Sequence, residues 1–324
     1  MKRSATVLVV TLTMLASFVG SRGTAAGKVF GPNGKIVFSR EDRDLGDTVT
    51  YIVDPDGSDL HLLPVPSPGT SEAPRWSPDG NRIAVLSGPC CPATNAVVIV
   101  NADTGTTRVL TMPNPAVETL CWVWSPNARR LACDGQGNDD PSLTGIYTIR
   151  TSDGGGLTRV TSIPGGDDVP IDYSPDGKQI VFGRTDPNGS PGKNQALFVV
   201  NVNGTGLHRI TPWGFSDDDG SWSPDGTKIV FEHFASVYSV HPDGTGLVKI
   251  PLQTRRTTTN FTAFDAGWSP DGTKLVFSLR THAGDGTVQE GIGTANADGS
   301  DVRMITTSPT RDANADWGPN LLAT

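Results

Sequence analysis

Apolar positions come in brief clusters along this chain, and each cluster follows the same kind of polar turn. Trp76-Ser-Pro-Asp-Gly80 leads into RIAV, Tyr173-Ser-Pro-Asp-Gly177 into QIVF, Trp222-Ser-Pro-Asp-Gly226 into KIVF and Trp268-Ser-Pro-Asp-Gly272 into KLVF. Trp124-Ser-Pro-Asn-Ala128 before RLAC is a degenerate copy; Phe30-Gly-Pro-Asn-Gly34 before KIVF opens the series and Trp317-Gly-Pro-Asn320 closes it. Successive copies lie 46 to 49 residues apart. Apolar runs this short, bounded by Pro and Gly, read as strands.

Between these copies runs a second signature, in which alternating apolar residues flank an Asp-Gly or Asn-Gly turn, the local mark of a hairpin. Examples are YIVDPDGSDLHLL (51–63), LFVVNVNGTGLHRIT (197–211) and VYSVHPDGTGLVKI (237–250). Each unit therefore holds four strands, the first ending at the Trp or Tyr. Six units of a four-stranded meander predict an all-β, six-bladed propeller, because one twisted sheet cannot bury both faces without neighbours. Seven candidates for the first strand serve six sets of the other three. Ala313–Trp317 is expected to return as the innermost strand of the first blade, beside Ile36–Ser39, in preference to the segment at Phe30.

The repeat resembles the TolB-type, WD40-like propeller repeat (the PD40 family) over essentially all of residues 28–320. The resemblance implies the fold and leaves function open, since one propeller hosts unrelated tasks. Two departures limit what carries over: the Gly-His and Trp-Asp marks of classical WD40 repeats are missing, and TolB's additional N-terminal α/β domain has no room here.

In such a meander the Ser-Pro-Asp-Gly and Asp-Gly turns share one face, the bottom. The opposite face receives the irregular loops, where binding usually resides. Acidic residues recur just before the innermost strands: Glu72, Glu118, Asp167, Asp168, Asp217, Asp218, Asp219, Asp265, Asp312 and Asp316. Two readings stand. A ring of carboxylates at the channel mouth would attract calcium, a Lys or Arg side chain, or a basic peptide; alternatively, the carboxylates accept backbone N–H groups at loop corners, as the resemblance implies. The periodic Trp76, Trp124, Tyr173, Trp222, Trp268 and Trp317 are expected to pack between blades rather than to stack on sugars.

Composition narrows the partners. The chain has 324 residues, with 38 Gly and 25 Pro, too much punctuation for long helices. Lys2 and Arg3, the apolar stretch from Ala5 to Gly20 and the small residues to Ala26 read as a signal peptide over residues 1–26. Residues 27–320 are then a single propeller domain and 321–324 a tail. Cleavage leaves 23 basic and 34 acidic residues, a net charge of −11. That disfavours nucleic acid and anionic lipid. No integral membrane domain is expected, and a secreted or periplasmic monomer is.

Cys90, Cys91, Cys121 and Cys133 gather by this geometry near one blade boundary. In an exported protein they read as disulfides. Pairing of Cys90 and Cys91 with Cys121 and Cys133 is preferred, with a Cys121–Cys133 bond as the rival; zinc is the weaker reading. Nucleophile-elbow, HExxH, P-loop and dinucleotide signatures are absent. No catalytic residue is assigned and no metal ligand set is identified. The sequence reading is therefore a non-catalytic binding module for a protein or basic segment. Its rival is a metal-dependent carbohydrate-active lyase or hydrolase, for which His233 and His282 would be the candidate ligands.

Overall fold

A computed structural model describes residues 31–65, 70–88, 96–110, 114, 116–137, 139–190, 194–214, 219–253, 260–282 and 288–320. The proposed signal peptide, Phe30, Cys90, Cys91, Asp217, Asp218 and residues 321–324 lie outside them. Six four-stranded antiparallel sheets form the ring of a six-bladed propeller. The innermost strands are Asp312–Pro319 in blade 1, Thr70–Trp76 in blade 2, Glu118–Trp124 in blade 3, Asp167–Tyr173 in blade 4, Gly220–Trp222 in blade 5 and Asn260–Trp268 in blade 6. Each touches the innermost strand of the next blade, and Asn260–Trp268 touches Asp312–Pro319 to close the circle.

Closure joins the two ends of the chain. Asp312–Pro319 pairs with Asn33–Asp42 in the register Ile36 to Trp317 and Ser39 to Ala313. Arg40 grips Asp312 with two hydrogen bonds of 2.7 Å, across a separation of 272 residues. Trp317 Nε1 donates to Gly34 O at 2.9 Å.

The repeated turn has a local cause. Ser77 Oγ donates to Asp79 Oδ1 at 2.6 Å and accepts from Arg82 N at 3.0 Å, so one hydroxyl ties both sides of the turn. Pro78 supplies a fixed φ, and Gly80 takes φ +65°, a conformation that costs other residues a Cβ clash. Ser174, Ser223 and Ser269 repeat the serine bonds. In the degenerate copy Asn127 replaces the aspartate and Ala128 is held at φ +54°.

Six apolar clusters fill the six seams, and each periodic aromatic packs on the blade before it. Trp124 lies against Ala84 and Ile99, Tyr173 against Ala132 and Ile146, and Trp222 against Val181 and Val199. Trp268 lies against Val230 and Val237, Trp317 against Val276 and Ile292, and Trp76 against Val37 and Ile52.

The preferred cysteine pairing is corrected. Cys121 and Cys133 are disulfide-bonded to each other and fully buried. The physical reason is a β-bulge at Trp122. Trp124 faces Leu131 and Val123 faces Ala132, so an unbroken register would set Cys121 opposite Asp134; the extra residue sets it opposite Cys133. The bond closes a loop with a sequence separation of 12. The chain-entropy relation then gives about 3 kcal/mol. Urea denaturation of the C121A/C133A protein is expected to show that loss; an unchanged midpoint would mean that the bridge contributes nothing to stability.

Candidate functional site

The innermost strands surround an axial cavity of about 70 Å3. It runs from the bottom turns, at Pro78, Pro126 and Pro319, up to Asp219 and Asp265. Bulges interrupt the inner ladder in blades 2, 3, 4, 6 and 1, with one within a few residues before the aromatic in each. Bulges re-aim side chains. Here they turn Trp122, Asp172, Asp265 and Asp316 to the cavity wall. Ala73, Asp265 and Asn314, each three residues before its Trp, have φ of +48°, +53° and +56°.

The charged lining comprises Asp172, Asp219, Asp265 and Asp316 against a single guanidinium, Arg75. Three of these carboxylates also brace the ring. Asp316 accepts from Trp76 N at 2.7 Å, and Asp172 accepts from Trp222 N at 2.8 Å. Asp265 Oδ2 accepts from Ser278 Oγ at 2.6 Å and from Asn314 N at 3.1 Å. Each interblade bond satisfies an amide with one carboxylate oxygen. Arg75 donates to the carbonyl oxygens of Pro74 and Asn314.

The acidic residues that the sequence groups at the mouth fall into different environments. Asp168 is 0% exposed and held by Arg184 through two hydrogen bonds of 2.6 and 2.7 Å. Asp312 is 2% exposed; it is engaged by Arg40 and by Thr306 Oγ1. In both blades the arginine also lies over two aromatic rings, Phe38 and Tyr51 or Phe182 and Phe198. Those two carboxylates carry their own counterions inside a blade. Glu72 is exposed, while Glu118 and Asp167 are half-buried at the top of the seam between blades 3 and 4.

That seam holds a residue the sequence reading did not single out. Gln136 Nε2 donates to Asp134 Oδ1 at 3.2 Å and to Asp167 Oδ1 at 2.8 Å, so one amide bridges the two blades. Asp134 is 8% exposed. Burial, reinforced by the neighbouring Asp167, pushes its carboxyl up to about 7.

Asp172, Arg75 and Trp122 were likewise not picked out as site residues. Asp172 could have been found, since it stands directly before Tyr173 as Asp316 stands before Trp317. His233 is buried in blade 5, and burial holds its imidazole below the ordinary value; His282 is exposed in blade 6. Among the described residues no three His, Cys, Asp or Glu side chains gather closely enough to hold a metal ion. No helix among them is long and apolar enough to cross a membrane.

Comparison with known proteins places this geometry. The TolB beta propeller domain profile (PD40) matches residues 23–239. An uncharacterised protein of Agrobacterium fabrum is 31% identical over 167 residues, covering 51% of this chain and 52% of that protein. The chain thus spans about half the length of that curated relative. Among solved structures, TolB from Acinetobacter baumannii superposes with a TM-score of 0.65 at 20% identity, covering 89% of this chain and 67% of that one. An oligogalacturonate lyase in complex with manganese gives a TM-score of 0.51 at 15% identity, covering 79% and 73%. At these identities the structural likenesses speak for the fold alone.

Proposed function

This chain belongs to the TolB β-propeller family, and from that premise we propose that it is an exported, non-catalytic binding module that receives a cationic segment of a protein partner at its axial cavity. The observation that carries the reading is the lining itself, four carboxylates against one arginine. In a partly enclosed site such an excess is screened less than on an open surface, and it favours an incoming Lys, Arg or terminal amine. Trp122 adds an aromatic wall, on which a cation is further stabilised. The buried cystine supports placement in an oxidising compartment outside the cytoplasm. The metal-dependent lyase reading lacks a ligand set among the described residues.

The test uses intrinsic fluorescence of the full chain with two short Gly/Ser peptides, one carrying a single Lys and the other a single Glu. The Lys peptide is expected to change the emission saturably, in a manner lost in W122F and weakened by salt. Asn at positions 172 and 316 keeps an oxygen for the Trp222 and Trp76 amides while removing both charges. The D172N/D316N protein is therefore expected to stay folded and to bind about tenfold more weakly. Equal affinity of the two proteins, or of the two peptides, would remove the cation-binding reading.

A further inference from the structure

A second cavity, of about 210 Å3, opens at the top of the seam between blades 6 and 1, apart from the axis. That is below the volume of a typical drug-sized pocket and suits a ligand no larger than a small organic acid. Its walls are Phe264 of the innermost strand of blade 6, Arg280 and Glu290 of the next two strands, and Arg311 and Asp312 where the chain crosses to blade 1. The crossing is pinned on both sides. Ser308 N donates to Glu290 O at 2.9 Å, Glu41 N to Arg311 O at 3.0 Å, and Arg43 Nη2 to Pro309 O at 3.2 Å.

The charges in this cleft do not cancel. Asp312 is already matched by Arg40, and Glu290 is matched by Arg280, which donates both Nε and Nη2 to the single oxygen Oε1. The Arg311 guanidinium is exposed and makes no hydrogen bond or ion pair with a described residue, leaving one positive charge at the rim. Arg280 also lies 5.7 Å from the centre of the Phe264 ring, so cation and apolar wall are adjacent.

The geometry points to a binding site for a monocarboxylate attached to an apolar or ring body, held by Arg311 with help from Arg280 and resting on Phe264. A single negative charge fits, because Arg311 is the one cation of the lining that no described carboxylate already matches. Arg pairs bidentately with carboxylates, which makes this charge and shape a specific match. The same chemistry is offered by a free small acid and by the C-terminal residue of a peptide. The site goes beyond the axial reading and is independent of it, with ligands of opposite charge at two places.

Ligand-observed NMR titration of the full chain tests it with four probes: phenylacetate, phenylacetamide, acetyl-Gly-Phe as the free acid, and the same peptide as the amide. At least one acid is expected to saturate with a Kd of about 1 mM or tighter, and its amide to bind at least about tenfold more weakly. Preference for phenylacetate assigns the site to a free acid; preference for the peptide acid assigns it to a chain terminus. R311Q, a change at an exposed side chain, is expected to weaken the acid about tenfold with an unchanged melting temperature. D172N/D316N is expected to leave acid binding untouched, so failure of the axial reading and failure of this one are separable. Equal binding of acid and amide, no saturation by either acid, or equal affinity of R311Q and the unaltered chain would overturn the proposal.

Discussion

A chain ending at Arg311 is expected to lose its cooperative thermal transition. The missing segment is the innermost strand of blade 1, and without it Ile36, Val37 and Phe38, all 0% exposed, lose the strand beside them, while Ile36 and Phe38 lose the Trp317 and Ala315 of their cluster. Arg40 also loses Asp312, and removal of one partner of a buried ion pair costs about 3–5 kcal/mol. A gentler variant separates packing from closure. W317A keeps the strand but removes a 2% exposed side chain and the donor to Gly34 O, and should cost about 3–5 kcal/mol. Either loss is large against the roughly 5–15 kcal/mol that holds a typical domain together. Calorimetry and near-ultraviolet circular dichroism check both variants. A truncated chain that melts as the intact one does would show that the ring stands without its closing strand.

The second large effect is a pH dependence located at Asp134. Its carboxyl titrates at about 7 in the folded protein, against 3.8 ordinarily. Between those values the folded chain holds a proton that the unfolded chain has released. The stabilising contribution is therefore complete below pH 3.8 and is lost as pH rises through about 7. Above that, ionising a buried carboxyl, with Asp167, Asp168 and Glu118 nearby, costs folding about 4 kcal/mol, from about 1.4 kcal/mol for each unit of displacement. Arg184 already matches Asp168 and offsets only that neighbour. D134N removes the titration and retains an oxygen for Gln136. Its stability relative to the unaltered chain is expected to rise from pH 4 to about pH 7 and then level off, measured by urea midpoints at each pH. Parallel curves for the two proteins would show that Asp134 does not carry the effect.

Much of the fold was legible because it is written locally. Ser77, Pro78, Asp79 and Gly80 make their turn with one another, so the turn and its period survive in any copy of the motif. The number of blades and the return of Ala313–Trp317 to Ile36–Ser39 follow from counting those turns, and the register of that return confirms the placement. Pairing across blades was less legible. Nothing near Asp168 in the sequence distinguishes it from Asp172, yet one is locked by Arg184 and the other braces Trp222 N. Strand alternation decides which side of the sheet each occupies, and the bulge between Pro170 and Asp172 changes that alternation between them. The cysteines show the same limit. Their grouping could be read from the meander, but the single-residue bulge at Trp122 selects Cys133 as the partner of Cys121, and such a bulge leaves no compositional trace.

The union of the first strand with the last has a consequence for how the molecule is made. Asn33–Asp42 is synthesised long before Asp312–Pro319, and its edge stays uncovered until that strand arrives. Any stalled or clipped product presents that uncovered edge, a handle for chaperones and proteases that the finished protein lacks. The pocket beside Arg311 comes into being at the same moment, so a carboxylate bound there would register closure of the ring and, by mass action, oppose reopening of the seam.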